Sequence, residues 1–288
     1  MSHRIAFHLI DAFTDKPFAG NPAGVCLLDA PAEPAWMQSI AAEVNASETA
    51  FVRARPDGDF DLRWFTPACE VKLCGHATLA SAFGLFSTGW AAPGQAVRFH
   101  TASGVLTCRT AEGWVQMDFP RQEVQVVPPS AQVHQALSAL AGTGPGAGPG
   151  GPASASAPPP LFVGQTVGPG YSTWFVAYAS ANQVRALAPD FARLNDAGGS
   201  AIVTAPADQP GFDFVSRFFG PGFGVNEDPV TGSAHCSLAP FWASRLGRTH
   251  LTGLQVSKRT GVVRVEALAD RVLIWGQAVT VARGEMVC

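Results

Sequence analysis

The chain has 288 residues, of which 47% are hydrophobic and only 14% are charged, and its formal net charge is −3. This composition is typical of a globular protein, and the length is enough for one large domain or two medium ones. The slight negative charge and the lack of a basic stripe argue against nucleic acid as a partner, and no uninterrupted apolar run is long enough to span a bilayer.

The chain begins with a predicted strand. The segment from Met1 to Phe13 sets Arg4 and Asp11 within an apolar stretch, which is not the layout of a signal peptide. We therefore expect a cytoplasmic protein.

Short runs that alternate apolar and polar residues predict strands along the whole chain. The predicted strands are 5–10, 49–54, 61–65, 104–109, 114–119, 173–178, 201–204, 213–217, 254–258, 261–267 and 271–282. Helical periodicity predicts helices at 35–43, 76–88, 130–141, 182–187 and 233–245.

The helices at 76–88 and 233–245 are apolar around almost their whole circumference, which is typical of buried helices. A buried helix among many strands indicates a sheet wrapped around it, and two such units in order indicate a duplicated architecture. Pro240 lies inside the second helix and is expected to kink or interrupt it. Residues 142–160 are rich in Gly, Pro, Ala and Ser, and we predict a mobile loop or linker there.

Six cysteines are present, but a chain of this length has a core of its own, so a disulfide framework is not expected. Cys69, Cys74 and His76, with His235 and Cys236, match no standard zinc spacing. No metal site is predicted.

Two glycine-flanked turns, residues 74–78 and 228–233, each open one of the buried helices. A helix start presents free backbone N–H groups and a partial positive charge, which attract anions such as carboxylates. Two such starts predict a pocket that holds a small acid from two sides.

Several polar residues near these turns are candidates for chemistry, and each has a plain structural alternative. Glu48 is either a general acid/base or a capping carboxylate, and His76 is either a proton-handling group or an ordinary first-turn histidine. For His76, a helix N-terminus is expected to lower the pKa. Asp228 and Ser233 either surround the anion site or serve as turn and cap residues. Cys74 is either a reactive thiolate or an inert buried cysteine.

Together these segments resemble the PhzF-like (phenazine biosynthesis-like) isomerase family. The matching segments are DAF at 11–13, FAGNPAGV at 18–25, SETAFV at 47–52, FTP at 65–67, LCGHAT at 73–78 and EDPVTGSAHC at 227–236.

The resemblance implies an α+β fold of the diaminopimelate-epimerase type, with two pseudo-symmetric halves that each curl a mainly antiparallel sheet around a central helix. We place the halves at 1–120 and 121–288, with the final strand of the chain a candidate to pack on the first. The resemblance further implies an active site in the cleft between the halves, no cofactor and no metal, and a homodimer.

The resemblance also assigns roles to residues. Glu48 is the acid/base that moves a proton on carbon. The residues that bind the substrate are Asn21, Gly75, His76, Asp228, Gly232 and Ser233. Related epimerases of this fold use two cysteines, and this chain has Cys74 at one position but Thr231 at the other.

The sequence therefore predicts a cofactor-independent isomerase of a small carboxylate-bearing metabolite. Two alternatives remain open at this point: a cysteine-dependent epimerase that uses Cys74, and a non-catalytic binding protein that keeps the fold.

Overall fold

The computed structural model describes residues 4–92, 94–142, 159–168 and 171–287. The strands are β1 Arg4–Ala12, β2 Asn21–Leu28, β3 Glu48–Ala54, β4 Phe60–Phe65, β5 Glu70–Val71, β6 Val97–Thr101, β7 Gly104–Ala111, β8 Trp114–Pro120, β9 Val124–Val126, β10 Phe162–Gly168, β11 Tyr171–Ala177, β12 Ala201–Pro206, β13 Phe214–Gly220, β14 Val225–Asp228, β15 His250–Gln255, β16 Gly261–Ala267, β17 Arg271–Gly276 and β18 Ala278–Val287. The helices are α1 Pro34–Val44, α2 Gly75–Thr88, α3 Ala131–Ala141, α4 Ala181–Ala186, α5 Phe191–Asp196 and α6 His235–Leu246, with a 3₁₀ turn at Pro221–Phe223.

One pattern of strand pairing occurs twice. In the first half β1–β2 is antiparallel, β2–β3 parallel, β3–β4 antiparallel, β4–β6 parallel, and β6–β7 and β7–β8 antiparallel, with β5 beside β4. In the second half β10–β11, β11–β12, β12–β13, β13–β15, β15–β16 and β16–β17 repeat these senses in the same order, with β14 beside β13. This repeat confirms the predicted two-half architecture.

The halves are joined where their last strands pair, because β8 and β17 are antiparallel neighbours. Each half also receives a strand at its first edge: β9 pairs with β10, and β18 returns to pair with β1. All of the described strands thus form one continuous sheet. The boundary between residues 120 and 121 stays a prediction, and residues 143–158 of the predicted loop lie outside the described residues.

The two predicted apolar helices are the centres of the halves. Helix α2 contacts β1, β2, β3 and β8, and α6 contacts β15, β16 and β17. Their side chains belong to one hydrophobic core that runs through both halves. The other helices lie on the outer faces, with α1 over β3 and β4 and α4 over β12 and β13. No helix among the described residues is long and apolar enough to cross a bilayer.

Of the two expected effects of Pro240, a kink or an interruption, the interruption does not occur, because α6 continues through the proline from His235 to Leu246. A proline removes the hydrogen bond to the carbonyl four residues earlier, which here belongs to Cys236. That carbonyl instead accepts a 3.0 Å hydrogen bond from the Gln122 backbone N–H. The segment after β8 therefore supplies the hydrogen-bond donor that Pro240 cannot supply to the Cys236 carbonyl.

The predicted strand at 271–282 is two strands, β17 and β18, which pair with different partners. The break falls at Gln277, directly after Gly276, where an added Cβ would lie 2.4 Å from the Leu79 side chain and 2.5 Å from the Phe13 ring. The backbone passes so close to α2 that only glycine fits.

Candidate active site

The N-termini of α2 and α6 meet end to end at two glycines. A Cβ added to Gly75 would lie 3.3 Å from the Cα of Gly232, and one added to Gly232 would lie 3.5 Å from the Cα of Gly75. The two predicted anion-binding turns are therefore brought together. A side chain at Gly75 would therefore press on the other helix start, whereas one at Gly232 would press first on the Phe13 ring, at 3.2 Å.

Both helix starts keep free backbone donors. Neither α2 nor α6 has a side-chain cap, and in particular Ser233 does not cap α6. The N–H of Ala77 faces the Cys74 sulfur. Within the described part of the chain, five backbone N–H groups at the two turns donate to no backbone carbonyl; they belong to Gly75, His76, Gly232, Ser233 and Ala234. Such groups, together with two helix dipoles, form a site for an anion.

Glu48 is the first residue of β3 and lies opposite Ala23 of β2. Helix α1 ends at Asn45, whose left-handed backbone (φ 51°) turns the chain back toward the strand. The Glu48 side chain is 17% exposed, and its Oε2 lies 3.2 Å from Nε2 of His76. The two atoms are close enough for an ion pair, but they are not aligned as a hydrogen bond, so the buried Nε2 has no hydrogen-bond partner in the described protein.

The pKa of His76 is raised, which corrects the expectation of a lowered pKa. Burial opposes protonation, but the nearby Cys74 sulfur and the Glu48 carboxylate together hold the pKa well above its usual value. The attraction of the Cys74 sulfur, and next that of the Glu48 carboxylate at 3.2 Å, outweighs the cost of burial. The raised pKa favours the protonated ring, which carries an N–H donor at Nε2 on the side of Glu48.

Cys74 precedes Gly75, and its Sγ lies 3.5 Å from Nδ1 of His76. Burial, and next the charge of Glu48, raise the pKa of this thiol above 9.0. Cys74 is accordingly a neutral thiol near pH 7, unlike the activated thiolate that a helix start alone would favour.

Asp228 ends β14 and is held by residues of both halves. Its Oδ1 accepts a 2.7 Å hydrogen bond from Nδ2 of Asn21, and its Oδ2 accepts one from the Thr231 hydroxyl. Burial raises the pKa of Asp228 to about 6, assisted by the charge of Glu48 and opposed by His76. Its backbone carbonyl accepts a hydrogen bond from Gln255, a residue that the sequence pattern did not single out.

Asn21 has a different position from the one predicted. It is fully buried, and its amide donates both to Asp228 and to the carbonyl of Val230. It lies behind Asp228 and not on the cavity wall. Asn21 positions Asp228 across the junction between the halves.

These groups line a cavity of about 360 Å³ at the junction of the two halves. Its polar floor contains Glu48, His76, Asp228 and Ser233, and its apolar walls come from both halves: Val71, Leu73, Ile202, Phe218, Phe223 and Val225. A larger cavity of about 620 Å³ lies beside Trp114, Arg248 and Arg264 and contains none of the predicted site residues. Convergent polar groups favour the smaller cavity as the functional site.

One ligand oxygen, sulfur and nitrogen from Glu48, Cys74 and His76 lie within 4.8 Å of one another. A soft divalent ion is compatible with such donors. The two ring nitrogens of His76 face different neighbours, however, with Nδ1 toward Cys74 and Nε2 toward Glu48. An ion held by all three residues would bind His76 through one ring nitrogen and replace the contact that this nitrogen now makes with Cys74 or Glu48.

Comparison with known proteins places this site in context. Residues 10–284 match the family model described as phenazine biosynthesis-like protein. A relative from Halalkalibacterium halodurans, named an uncharacterized isomerase, is 40% identical over 97% of each chain. A solved structure of a phenazine biosynthesis protein of the PhzF family from Enterococcus faecalis superposes with a TM-score of 0.84 at 36% identity, covering 99% of each chain. A hydroxyproline epimerase from Agrobacterium vitis shares the fold alone, with a TM-score of 0.60 at 10% identity over 99% of this chain and 92% of that one.

Proposed function

The chain belongs to the phenazine biosynthesis-like protein family and is an isomerase, and we propose that it moves a proton between two carbons of a small carboxylate-bearing metabolite. Glu48 is the general acid/base in this proposal, and neither a metal nor an organic cofactor takes part. The alternative of a binding protein that only keeps the fold is set aside, because relatives over the full length are isomerases.

The observation that carries the proposal is the position of the Glu48 carboxylate beside two helix starts with free donors. A substrate carboxylate bound to those N–H groups would place its neighbouring carbon within reach of Glu48. Removal of a proton from that carbon leaves negative charge on the substrate. The helix-end N–H groups, with Nε2 of His76, are positioned to stabilise that charge as it forms.

Proton return completes the reaction. Glu48, now protonated, delivers the proton to a different carbon of the same molecule, so the reaction needs no net acid or base. The apolar walls limit water, which favours return of the original proton over exchange with solvent. Asp228 and Ser233 hold the substrate from the second half.

The cysteine-dependent alternative has less support. Cys74 is a buried neutral thiol. The corresponding residue of the second turn is Thr231, whose hydroxyl donates to Asp228. A hydroxyl is a poor base near neutral pH, so two-base chemistry on these residues is disfavoured.

Deuterium uptake tests the proposal. The protein is incubated in D₂O with a pooled extract of small carboxylates, and mass spectrometry identifies compounds that gain one deuterium or change retention time without a change in mass. Glu48→Gln, which keeps the shape of the side chain, should abolish both changes, while Cys74→Ser should keep them. Prior treatment with EDTA should leave the rate unchanged.

The experiment tests the identity of the base and the absence of a metal separately. Activity that survives in Glu48→Gln but is lost in Cys74→Ser would show that Cys74, and not Glu48, is the catalytic base. Activity that EDTA removes and Zn²⁺ restores would contradict the metal-free mechanism. Circular dichroism of both variants establishes that the fold is intact.

A further inference from the structure

The cavity of the candidate active site extends along the sheet of the second half, away from its polar floor. Asp228 on β14 lies directly opposite Phe218 on β13, and Phe218 lies directly opposite Ile202 on β12. The next two strands, β11 and β10, contribute Thr173 and Thr166, which are directly opposite each other. All five residues line the same cavity. Its wall is therefore polar at Asp228, apolar in the middle and polar again at Thr166.

Thr166 is only 3% exposed, yet its hydroxyl makes no hydrogen bond within the described residues. Gln122 lines the cavity as well, and its backbone N–H is held by the Cys236 carbonyl at 3.0 Å. The Gln122 side-chain amide likewise makes no hydrogen bond in the described part of the chain. Thr166 lies opposite Val124, two residues after Gln122, so these two residues form one polar region, which we call the far polar pair.

A buried hydroxyl without a partner costs the fold stability, and such groups normally have one. Thr173 on the neighbouring strand shows the usual arrangement, since its hydroxyl shares a 2.9 Å hydrogen bond with that of Ser200. Valine has nearly the same shape as threonine and would occupy the position of Thr166 without this cost. The unpaired hydroxyl lies on the cavity wall, which indicates that a bound molecule supplies its partner.

The far polar pair is uncharged. The charged residues that line the cavity are Glu48, His76 and Asp228 at the polar floor, and Lys72, which is exposed in the segment before α2. A second carboxylate or an ammonium group at the far polar pair would lose its hydration without gaining an opposite charge. A neutral hydroxyl fits this position, because a threonine hydroxyl and a glutamine amide can each donate to it and accept from it.

We propose that the substrate carries a hydroxyl group at the end opposite its carboxylate, and that Thr166 determines specificity by binding this hydroxyl. The inference rests on the proposed function, because it takes the substrate carboxylate to bind at the two helix starts. Between the two ends the molecule has an apolar portion, which packs on Phe218 and Ile202. The substrate class is a hydroxy acid in which an apolar ring or chain separates the hydroxyl from the carboxylate.

Matched pairs of ligands test the inference through binding alone, without turnover. The ligands are benzoate and 3-phenylpropanoate, each with and without a hydroxyl at ring position 4, so that the two pairs extend to different depths. Isothermal titration calorimetry should show that the wild type binds the hydroxylated member of at least one pair about tenfold more tightly.

Thr166→Val removes the hydroxyl with little change in shape and should reduce this preference to within about twofold. Thr173→Val is the matched control. It changes the same residue type in the same cavity, but the Thr173 hydroxyl is already paired with Ser200, so the control should keep the tenfold preference.

Thermal unfolding gives a second readout that needs no ligand. Thr166→Val should leave Tm unchanged or raise it, because it removes an unpaired buried hydroxyl. Thr173→Val should lower Tm, because it leaves the Ser200 hydroxyl without its partner. A clear loss of Tm in Thr166→Val would assign a structural role to this hydroxyl and overturn the inference.

The inference would also be overturned if the wild type binds the two members of each pair equally, or if the preference survives in Thr166→Val. The corresponding carboxamides test the proposed function separately. Carboxamides that bind as tightly as the carboxylates would contradict an anion site at the helix starts. A failure of the anion site and a failure of the hydroxyl contact therefore give different results.

Discussion

Asp228 is partly buried, and at the scale of single residues it gives the site a predicted dependence on pH. Burial raises its pKa from 3.8 to about 6. The folded protein thus binds this proton more tightly than the unfolded chain does, so protonation of Asp228 stabilises the fold. That stabilisation is complete below about pH 4 and is lost as the pH rises through about 6.

Asp228→Asn should remove this dependence. The wild type is expected to lose up to about 3 kcal/mol of unfolding free energy from this group between pH 4 and pH 7, and the variant to lose correspondingly less. Urea unfolding at several pH values in this range measures the difference. Parallel curves for the two proteins would contradict the raised pKa.

At the scale of elements, the contact between α2 and α6 sets the geometry of the site. A Cβ at Gly75 would press on the backbone of Gly232, which cannot move aside as a side chain can. A shift of the helix starts by even 1 Å displaces the N–H groups from the substrate, which can cost roughly a hundredfold in rate.

Gly75→Ala is therefore expected to lower kcat/KM by about tenfold to a hundredfold, with a smaller effect on stability. The matched control is Gly84→Ala in the same helix, where an added Cβ would make an ordinary 3.4 Å contact with Ile10. That control should keep full activity and gain about 0.5–1 kcal/mol in stability. Both are measured by steady-state kinetics and thermal unfolding, and equal activity of the two variants would be evidence against the helix junction as the substrate site.

The elements also differ in how well the sequence predicts them. The buried helices α2 and α6 were predicted to within about two residues, because their apolar periodicity is strong. Strand β2, Asn21–Leu28, was missed because it is buried on both faces and shows no alternation.

Within the site, sequence motifs identify Glu48 and His76 as candidate functional residues. The motifs do not predict that the two side chains are in contact, because 28 residues separate them and only the folded sheet brings them together. The sequence does not predict the role of Gln255, because its pattern does not distinguish a buried glutamine from any other polar residue of a strand. The raised pKa of His76 follows first from Cys74, two residues away in the sequence, and next from its contact with Glu48, which no local pattern contains.

At the scale of the whole molecule, Arg259 ties the two halves together near the site. It donates to the buried carboxylate of Asp11 at 2.8 Å and to the carbonyls of Ala19 and Gly20. The same carboxylate accepts a hydrogen bond from the N–H of Phe18. One arginine of the second half thereby fixes the turn that leads into β2 and Asn21.

Arg259→Ala should destabilise the protein by about 2–4 kcal/mol, because it leaves the Asp11 charge buried without its partner. Asp11→Asn in the same chain should recover part of the loss by removing that charge. The control Arg185→Ala breaks a surface ion pair with Asp208 and should cost less than about 1 kcal/mol. Urea unfolding compares the three, and an equal cost for the two arginines would show that the junction contributes no more than the surface does.

The return of β18 to β1 has a consequence for how the protein is made. Arg4 pairs with Val287, so the outer edge of β1 stays uncovered until β18, more than 270 residues later in the chain, has been synthesised. The junction strand β8 likewise waits for β17. Contacts of such long sequence separation form slowly, and the uncovered strand can pair wrongly in the meantime. The first half therefore cannot be completed until β18 has been synthesised, and until then the outer edge of β1 is open to pairing with other strands.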